Sequence, residues 1–417
     1  MGDWDYKPLG DFCDLRNGFA FKSENYTTEG ILNFRVVNIN WDGTVNVEDD
    51  TKYLPRSFAE SHSQYLLKDG DILFVMVGAT RGKLGRIPSR ILPALMNQNM
   101  WRVVPTNSAI DPDFLFFFLR YKTADLLTEG EDQARGFFKK SDFNSIEVPI
   151  PLLPEQKKIA HILSTVQRAI EEQERIIQTT TELKKALMQK LFNEGLRGEP
   201  QKETEIGLVP ESWEVVEVGT IVEVKGGKRF PKGEKLVAEN TGLPYIRVTD
   251  FNDFSIDTSD LRFLTSDTQK QIWRYIINKT DVFISIAGSI GISGMIPVHL
   301  DGANLTENAA RLIAKDTKNI FPRYLMYWLA SEHCQGEIRA QTVKNAQPKL
   351  ALTRIKSLKI PLPPIEEQKE IAANIDLSGQ KNSNSQKKKT SLEGLFRTLL
   401  YELMTAKTQV RDLELPA

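Results

Sequence analysis

The spacing of apolar residues changes twice along the chain from a pattern typical of strands to one typical of a long helix. The first half begins with short apolar runs that Gly, Pro, Asn and Asp separate. These runs predict a compact sheet domain, and they lie at 34–39, 71–77 and 100–104. A short helix is predicted over 114–122, where Asp111 is a candidate N-cap and Pro112 a candidate first helical residue.

A long helix is predicted from Pro154 to Phe192, because apolar residues recur there in steps of three and four. The extended segment 148–151 precedes it, and Asn193 and Gly195 end it. Its heptad seam has polar breaks at Gln173, Thr180 and Lys190 and otherwise comprises Ile159, Ile162, Val166, Ala169, Ile176, Leu183 and Leu187. A helix of roughly 38 residues is on the order of 55 Å long, so it needs a partner helix.

The partner helix is predicted in the second half, between Glu366 and about Met404. Its seam consists of Ile371, Ile375, Leu392, Leu395, Leu399 and Leu403. The middle of this segment, 378–391, is polar, which leaves two possibilities open: the helix runs through it, or it bends at Gly379 or frays. In either case we expect the two helices to pair at their ends as an antiparallel coiled coil.

The two halves of the chain are copies of one unit. Glycines, prolines and tryptophans fix backbone geometry, and they match in order when the sequence is shifted by about 210 residues. The matches include Trp4 with Trp213, Gly18 with Gly227, Gly82 with Gly291, Arg102 with Arg311, and Gln156 with Gln368. This period is far longer than that of a solenoid repeat, so it indicates a duplicated domain with its linker. Two equivalent halves predict an internal pseudo-twofold.

The fold class that these patterns predict is α+β, with two tandem mixed β-sheet domains that are each followed by a long helix. The expected boundaries are a first domain at 1–150, the first helix and linker at 151–204, a second domain at 205–360, and the second helix and tail at 361–417.

Composition and charge restrict the class of protein. The chain has 417 residues, of which 41% are hydrophobic and 26% charged, which is enough for two domains. No run of about 18 apolar residues occurs and the N-terminus is acidic, so we expect a soluble cytoplasmic protein. Cys13 and Cys334 lie far apart and predict buried reduced thiols. The net charge of −1 argues against a nucleic-acid binder unless the charges are unevenly distributed.

No catalytic residue, cofactor or metal site is predicted. The segment 78–84 differs from a phosphate-binding loop because only three residues separate its glycines and Leu84 follows Lys83. The four histidines lack the spacing of metal ligands. Ser285 and Ser289 lack a nucleophile elbow. The Asn-Pro-Pro-aromatic motif of adenine methyltransferases is absent.

Two copies of a sheet domain, each ending in a Pro-rich connector and a long helix, strongly resemble the specificity subunit of type I restriction–modification systems. The matching segments in the first half are Val148-Pro149-Ile150-Pro151 and 155–160. Those in the second half are Ile360-Pro361-Leu362-Pro363 and 367–372. The Gly-rich turns at 78–85 and 288–294 and the pairs Gln98-Asn99 and Glu307-Asn308 add to it.

The resemblance implies that each globular domain is a target-recognition domain that reads one half of a split DNA site. It implies that the helices set the spacing between the halves and dock two methyltransferase subunits. The implied partners are therefore double-stranded DNA, two modification subunits and, through the complex, restriction subunits. The polar middle of the second helix departs from the family's usual pattern and puts symmetric docking in doubt.

Basic loops occur despite the neutral total charge. No Asp or Glu lies between 72 and 110, and none lies between 339 and 365. The side chains that we expect to contact DNA are Lys22, Arg81, Lys83, Arg86, Lys139, Lys140, Lys228, Arg229, Lys232, Arg247, Lys344 and Asn345.

A solvated basic surface is the alternative for each of these residues. For the whole chain, the alternative function is a bivalent helical scaffold that holds two partners without reading DNA.

Overall fold

The computed structural model describes residues 4–47, 50–128, 136–342 and 348–410. These residues form two compact units. The first contains 1–174 with 388–417, and the second contains 175–387. Each unit therefore combines one sheet domain with parts of two long helices.

The first unit contains nine described strands: β1 Asp5–Pro8, β2 Cys13–Asn17, β3 Ile31–Phe34, β4 Tyr53–Leu54, β5 Ile72–Val75, β6 Leu84–Arg86, β7 Ala94–Met96, β8 Met100–Pro105 and β9 Glu147–Ile150. One antiparallel sheet has the order β2-β8-β5-β6, a second has the order β4-β3-β7, and β1 pairs with β9. Strands β3 and β7 are parallel. The helices before the long helix are α1 Phe58–Ser61, α2 Pro112–Thr128 and α3 Lys140–Asn144.

The strands of the second unit are β10 Gln201–Thr204, β11 Gly207–Pro210, β12 Glu214–Glu217, β13 Val222–Gly226, β14 Pro244–Ile246, β15 Phe251–Asn252, β16 Ser255–Ile256, β17 Arg262–Phe263, β18 Ile276–Ile277, β19 Val282–Ser285, β20 Ser293–Met295, β21 Ala303–Leu305, β22 Ala309–Ala314 and β23 Lys359–Leu362. They repeat the arrangement of the first unit. The order β13-β22-β19-β20 matches the first sheet, β17-β14-β21-β18 extends the second, and β12 pairs with β23. Strands β14 and β21 are parallel, as β3 and β7 are.

The remaining helices follow in chain order. The first long helix, α4, spans Leu153–Glu194, and the second long helix, α10, spans Ile365–Met404. Between them lie α5 Val218–Ile221, α6 Ser266–Ile272, α7 Pro322–Ala330, α8 Glu332–Gln341 and α9 Leu352–Ser357. No helix among the described residues is long and apolar enough to cross a membrane.

Each unit buries its own apolar core between the sheet, one short helix and the long helices. In the first unit, Phe114 and Phe118 of α2 lie with Phe74 and Trp101 of the sheet. In the second unit, Tyr324 and Trp328 of α7 occupy the corresponding place beside Trp213. Cys13 and Cys334 are buried free thiols, as predicted, and burial raises the pKa of Cys13 to about 12.

The long helices share a core with the sheet domain in both units. Near its start the first long helix contributes Ile159 and Leu163 to the core of the first unit, where Phe396 and Leu403 of the second long helix also lie. In the second unit the roles are exchanged: the end of the first long helix shares a core with the start of the second, and the residues are Leu191, Phe192, Ile371 and Ile375.

The second long helix is continuous through its polar middle, so the fraying considered there does not occur. Polar side chains replace apolar contacts in this region, since Asn382 Nδ2 donates a hydrogen bond to Thr181 Oγ1 at 3.0 Å. A Cβ atom on Gly379 would lie 3.3 Å from Nζ at the end of the Lys184 side chain.

Three predicted seam residues lie on exposed positions, namely Ile176, Leu183 and Leu395, which are 43%, 63% and 47% exposed. Leu163, Ile170, Met188 and Phe396 are buried instead. A straight helix has 3.6 residues per turn and drifts by about 20° per heptad from a strict seven-residue repeat. The heptad prediction therefore leaves the buried face after a few turns. Of the other predicted seam residues, Ile159, Ile371, Ile375 and Leu403 are buried, whereas Ile162, Val166, Ala169, Leu187, Leu392 and Leu399 are half-buried.

A buried glutamine joins each long helix to its sheet domain in the same way. Gln156 Oε1 accepts from Asp111 N at 2.7 Å, and Gln156 Nε2 donates to the carbonyl oxygens of Ala109 and Pro151, both at 2.9 Å. Gln368 repeats these contacts with Phe321 N at 2.8 Å and with the carbonyl oxygens of Asn319 and Pro363, both at 2.9 Å. Both side chains are fully buried.

Replacing Gln368 with Met should therefore destabilise the second unit. The substitution leaves one N–H and two carbonyl groups without partners in the interior, so we expect a loss of about 3 kcal/mol in the free energy of unfolding. Urea denaturation, monitored by circular dichroism, measures the free energy of unfolding of both proteins. Gln380→Met, at an exposed position of the same helix, is the matched control and should change it by under about 0.5 kcal/mol. Equal effects of the two substitutions would contradict this role of Gln368.

Candidate nucleic-acid interface

Four loop segments of the first domain lie side by side at the ends of its strands. We call this set edge 1, and its segments are 18–22, 96–99, 76–83 and 136–140. Backbone hydrogen bonds join neighbouring segments: Phe19 N donates to Met96 O at 3.1 Å, Met76 N to Asn99 O at 3.1 Å, and Phe138 N to Met76 O at 2.8 Å. Because these hydrogen bonds join backbone atoms, most positions of the loops can carry different side chains without loss of the bonds.

The second domain has the same arrangement, here called edge 2, with the segments 227–232, 305–308, 286–291 and 348–350. Lys228 N donates to Leu305 O at 2.9 Å, Ile286 N to Asn308 O at 2.8 Å, and Leu350 N to Ile286 O at 2.9 Å. The duplication thus reproduces the backbone of the edge as well as the sheets.

A glycine is required where the first two segments of each edge meet. A Cβ atom on Gly18 would lie 1.8 Å from Asn97 O, and one on Gly227 would lie 2.1 Å from Thr306 O. Both distances are far inside van der Waals contact, so any side chain would push the segments apart. The repeat keeps glycine at both places for this reason.

Edge 1 brings together five of the predicted DNA-contacting residues. Lys22 and Lys139 are exposed, Lys140 is exposed with its Nζ 2.7 Å from Leu15 O, and Arg81 and Lys83 are half-buried in the glycine-rich turn. Of these five cations, Lys22 forms an ion pair with Glu24 at 3.5 Å, with both side chains at least 70% exposed. A pair that exposed contributes little binding energy, so Lys22 remains available to another anion.

An aromatic cluster beside edge 1 was missed by the sequence analysis. His62 stacks on Phe58 with ring centroids 4.8 Å apart, and Phe19, Phe21 and Tyr65 surround it. Phe19 belongs to edge 1 and is 36% exposed. The residues come from segments about 40 positions apart, and only the spacing Phe19-Ala20-Phe21 was visible in the sequence.

Edge 2 brings together three of the predicted DNA-contacting residues, and their surroundings differ from those on edge 1. Lys228 and Lys232 are exposed, and Lys228 Nζ lies 5.8 Å from the centre of the Tyr275 ring. Arg229 Nε donates to Glu307 Oε1 at 2.5 Å. The glycine-rich turn 288–291 of this edge carries no basic residue, whereas the corresponding turn of edge 1 carries Arg81 and Lys83.

Glu307 is the second functional candidate that the sequence analysis missed, because it considered only basic and amide side chains as contacts. Its Oε2 accepts from Thr306 Oγ1 at 3.1 Å and lies 3.4 Å from the Tyr245 hydroxyl. Burial acts to raise the pKa of the Glu307 carboxyl, but the hydrogen bonds from Arg229 and Thr306 outweigh burial and lower it. Burial also raises the pKa of Tyr245 to about 12. The match of Glu307 with Gln98 across the repeat was the signal available in the sequence.

Two further predicted contacts, Arg86 and Arg247, lie outside the segments of the two edges and form ion pairs, which corrects their expected availability. Arg86 is at the far end of β6 from the turn of edge 1, and its guanidinium contacts Asp113 at the start of α2. Arg247 bonds to Asp250 at 2.6 Å and to Asp260 at 3.3 Å. These carboxylates balance the charge of both arginines. Asp250 is only three residues from Arg247, whereas Asp113 and Asp260 are brought to their arginines by the fold.

Lys344 and Asn345 lie outside the described residues. Lys349, next along the chain among described lysines, is exposed on edge 2. Within the described part of the chain, no group of three or more His, Cys, Asp or Glu side chains is arranged to hold a metal ion.

Comparison with known protein families identifies the family to which this chain belongs. The family model described as "Type I restriction modification DNA specificity domain" matches residues 1–180 and 210–394. The chain belongs to this family. The resemblance inferred from the sequence is therefore confirmed, and the two matched regions follow the internal repeat.

Curated relatives in this family cover nearly the whole chain. The MjaVIII specificity subunit of Methanocaldococcus jannaschii is 27% identical over 99% of this chain and 94% of its own length. The putative MjaX specificity subunit of the same organism is 26% identical over 98% and 94%. Both are named as specificity subunits, which are the non-catalytic DNA-recognition components of type I systems.

A solved structure shares the fold. The crystal structure of the type I restriction-modification S subunit from M. genitalium superposes with a TM-score of 0.60, covering 96% of each chain at 17% identity. The α+β class with two sheet-rich regions is thereby confirmed.

The pair on edge 2 predicts how the Glu307 carboxyl titrates. Its lowered pKa means that the pair stabilises the folded protein above the ordinary glutamate value of 4.5 and that this contribution is lost as pH falls through the lowered pKa. In Arg229→Ala, burial is opposed by fewer hydrogen bonds, so the pKa of the Glu307 carboxyl should rise. Carbon-13 NMR of glutamate-labelled protein measures it, with Glu307→Gln assigning the signal. A signal that does not move would contradict the pairing.

Proposed function

We propose that this chain is the DNA sequence-specificity subunit of a type I restriction–modification complex and that each globular domain reads one half of a split target. The observation that carries the proposal is the pair of edges. Their backbones are the same, but edge 1 presents Lys22, Arg81 and Lys139 where edge 2 presents Lys228 and the Arg229–Glu307 pair. Two domains that recognise different DNA sequences need different side chains, and a shared backbone can hold both sets in place.

The cations on the edges account for DNA binding by a chain of net charge −1. Phosphate contacts need local positive charge, since each neutralised phosphate releases counterions. Lys22, Lys139, Lys228 and Lys232 are exposed on the edges. Our proposal assigns these lysines mainly to phosphates. Arg229, whose planar guanidinium can form two parallel hydrogen bonds, is assigned to a base.

The two long helices are proposed to pair as an antiparallel coiled coil with pseudo-twofold symmetry and to set the distance between the half-sites. The exchange of helix ends between the two cores supports this pairing. In this scheme the recognition domains are 1–150 and 205–360, and the helical segments are 151–204 and 361–417.

The same helices are proposed to dock two methyltransferase subunits, with restriction subunits joining through the complex, in the cytoplasm where the DNA is. Exposed apolar side chains on the helices support a docking role, namely those of Ile176, Leu183 and Leu377, which are 43%, 63% and 59% exposed. Exposed apolar residues that recur on a helix are typical of contact sites for another protein.

Mapping of N6-methyladenine tests the reader role. The full chain would be expressed with its methyltransferase subunits in a host free of other adenine methylation, and genomic DNA sequenced at base resolution. We expect one split motif with two different halves, separated by a fixed gap. Omitting this chain is the control and should abolish methylation at the motif. Methylation without any sequence preference would reject the reader and leave the bivalent scaffold.

Lengthening both long helices tests the spacing role. Seven residues inserted after Glu174 and seven after Lys387 add about 10 Å to each helix, so the gap in the motif should grow by about three base pairs while each half keeps its sequence. Methylation mapping measures the gap. A seven-residue insertion after Gly198, in the connector beyond the first long helix, is the matched control and should leave the gap unchanged. An unchanged gap in the helix variant would refute the spacing role.

A further inference from the structure

The Arg229–Glu307 pair on edge 2 has a geometry that stability does not explain. Arg229 is exposed over 74% of its side chain, and its partner over 25%. An ion pair that exposed contributes little to the stability of the fold. The pair also adds no net charge to the edge, so it does not strengthen attraction to phosphate.

The carboxylate is held from the sheet side by buried residues. Thr306 and Tyr245 are 5% and 2% exposed, and both lie next to Glu307 Oε2. Tyr245 belongs to β14, and its hydroxyl also donates to Lys228 O at 2.9 Å, which fixes the loop that carries Arg229. Glu307 is therefore a positioned acceptor, with one oxygen turned to the sheet and the other to Arg229.

The guanidinium is bound through one side only. Glu307 Oε1 takes the hydrogen of Nε, and among the described residues no hydrogen bond involves Nη1 or Nη2. These two nitrogens are the terminal, forked donors of the guanidinium group. A guanidinium that is fixed at Nε and exposed at both Nη atoms matches the two acceptors O6 and N7 on the major-groove side of guanine.

The pair belongs to the variable part of the duplicated frame. At the matched positions of edge 1, 209 residues earlier, the chain has Ala20 and Gln98. The glycine and the backbone hydrogen bonds around these positions are kept in both edges. A side-chain pair that differs between copies on an unchanged backbone is where a difference in recognition can be encoded.

From this geometry we infer that Arg229 reads one guanine in the half-site of the second domain, and that Glu307 is a positioning residue that orients Arg229. The inference rests on the proposed function and deepens it by assigning a base class to one side chain. It assigns no base to Glu307 itself, because both of its oxygens are occupied within the protein.

Single-base profiling tests the inference. The full chain with its methyltransferase subunits would methylate a set of duplexes that carry the wild-type motif and every single substitution in each half. For Arg229→Ala we expect discrimination at one G·C position of one half to fall by about tenfold to a hundredfold. Discrimination at all other positions, including the whole half read by the first domain, should stay as in the wild-type protein.

Three further variants separate orientation from charge. Arg229→Lys keeps the charge but lacks the fork, and should relax the same position. Glu307→Gln should relax that position by a smaller factor. Lys232→Ala, an exposed lysine of the same edge, is the matched control: it should weaken binding to all sequences alike and reduce the salt dependence. Thermal unfolding checks that each variant is folded.

The outcomes distinguish this inference from the proposed function. If the complex with the wild-type chain methylates DNA without any sequence motif, both the inference and the proposed function are rejected. A wild-type split motif whose profile is unchanged in Arg229→Ala and Arg229→Lys would overturn the inference and leave the function standing. Relaxation at an A·T position, or a uniform loss of affinity without change in profile, would likewise overturn the assignment to guanine.

Discussion

The buried amide of one glutamine side chain in each half fixes how a long helix leaves its sheet domain. Gln156 and Gln368 each tie three backbone groups from two separate segments, and each does so without contact to solvent. A buried amide is tolerated only when its partners are in place, so the direction of the helix and the end of the sheet are determined together. The cores that the long helices share with the sheets follow from this joint.

The frame of each edge is made from backbone atoms, whereas its chemistry is made from side chains. Gly18 and Gly227 allow two segments to touch, and the same hydrogen bonds then align the other two. A matched arginine contacts an aspartate in both copies. The buried Arg102 bonds Leu66 O at 2.7 Å and Asp71 at 3.2 Å, and the half-buried Arg311 lies 3.7 Å from Asp281. Membership of the specificity family explains why this frame occurs twice.

Features that depend on local geometry or on the repeat were predictable from the sequence. The duplication, the two sheet domains and the bounds of both long helices to within two residues follow from glycine and proline positions and from the apolar period. The edges were not predictable as assemblies, because their segments come from positions as distant as 18 and 140. The pairing of Arg229 with Glu307 over 78 residues and that of Arg247 with Asp260 are properties of folded loops. Heptad counting failed at Leu183 because a period of 3.5 residues drifts along an α-helix that has about 3.6 residues per turn.

An edge built on a glycine contact and main-chain hydrogen bonds has a consequence for how such a protein diversifies. Substitutions on the exposed loops leave the hydrogen bonds that define the frame in place, so they cost little folding free energy. If the two edges read separate half-sites as proposed, each can change independently, and the number of composite targets is the product of what each edge reads. On that proposal, a few point mutations in one half give a new target while the other half stays as it was.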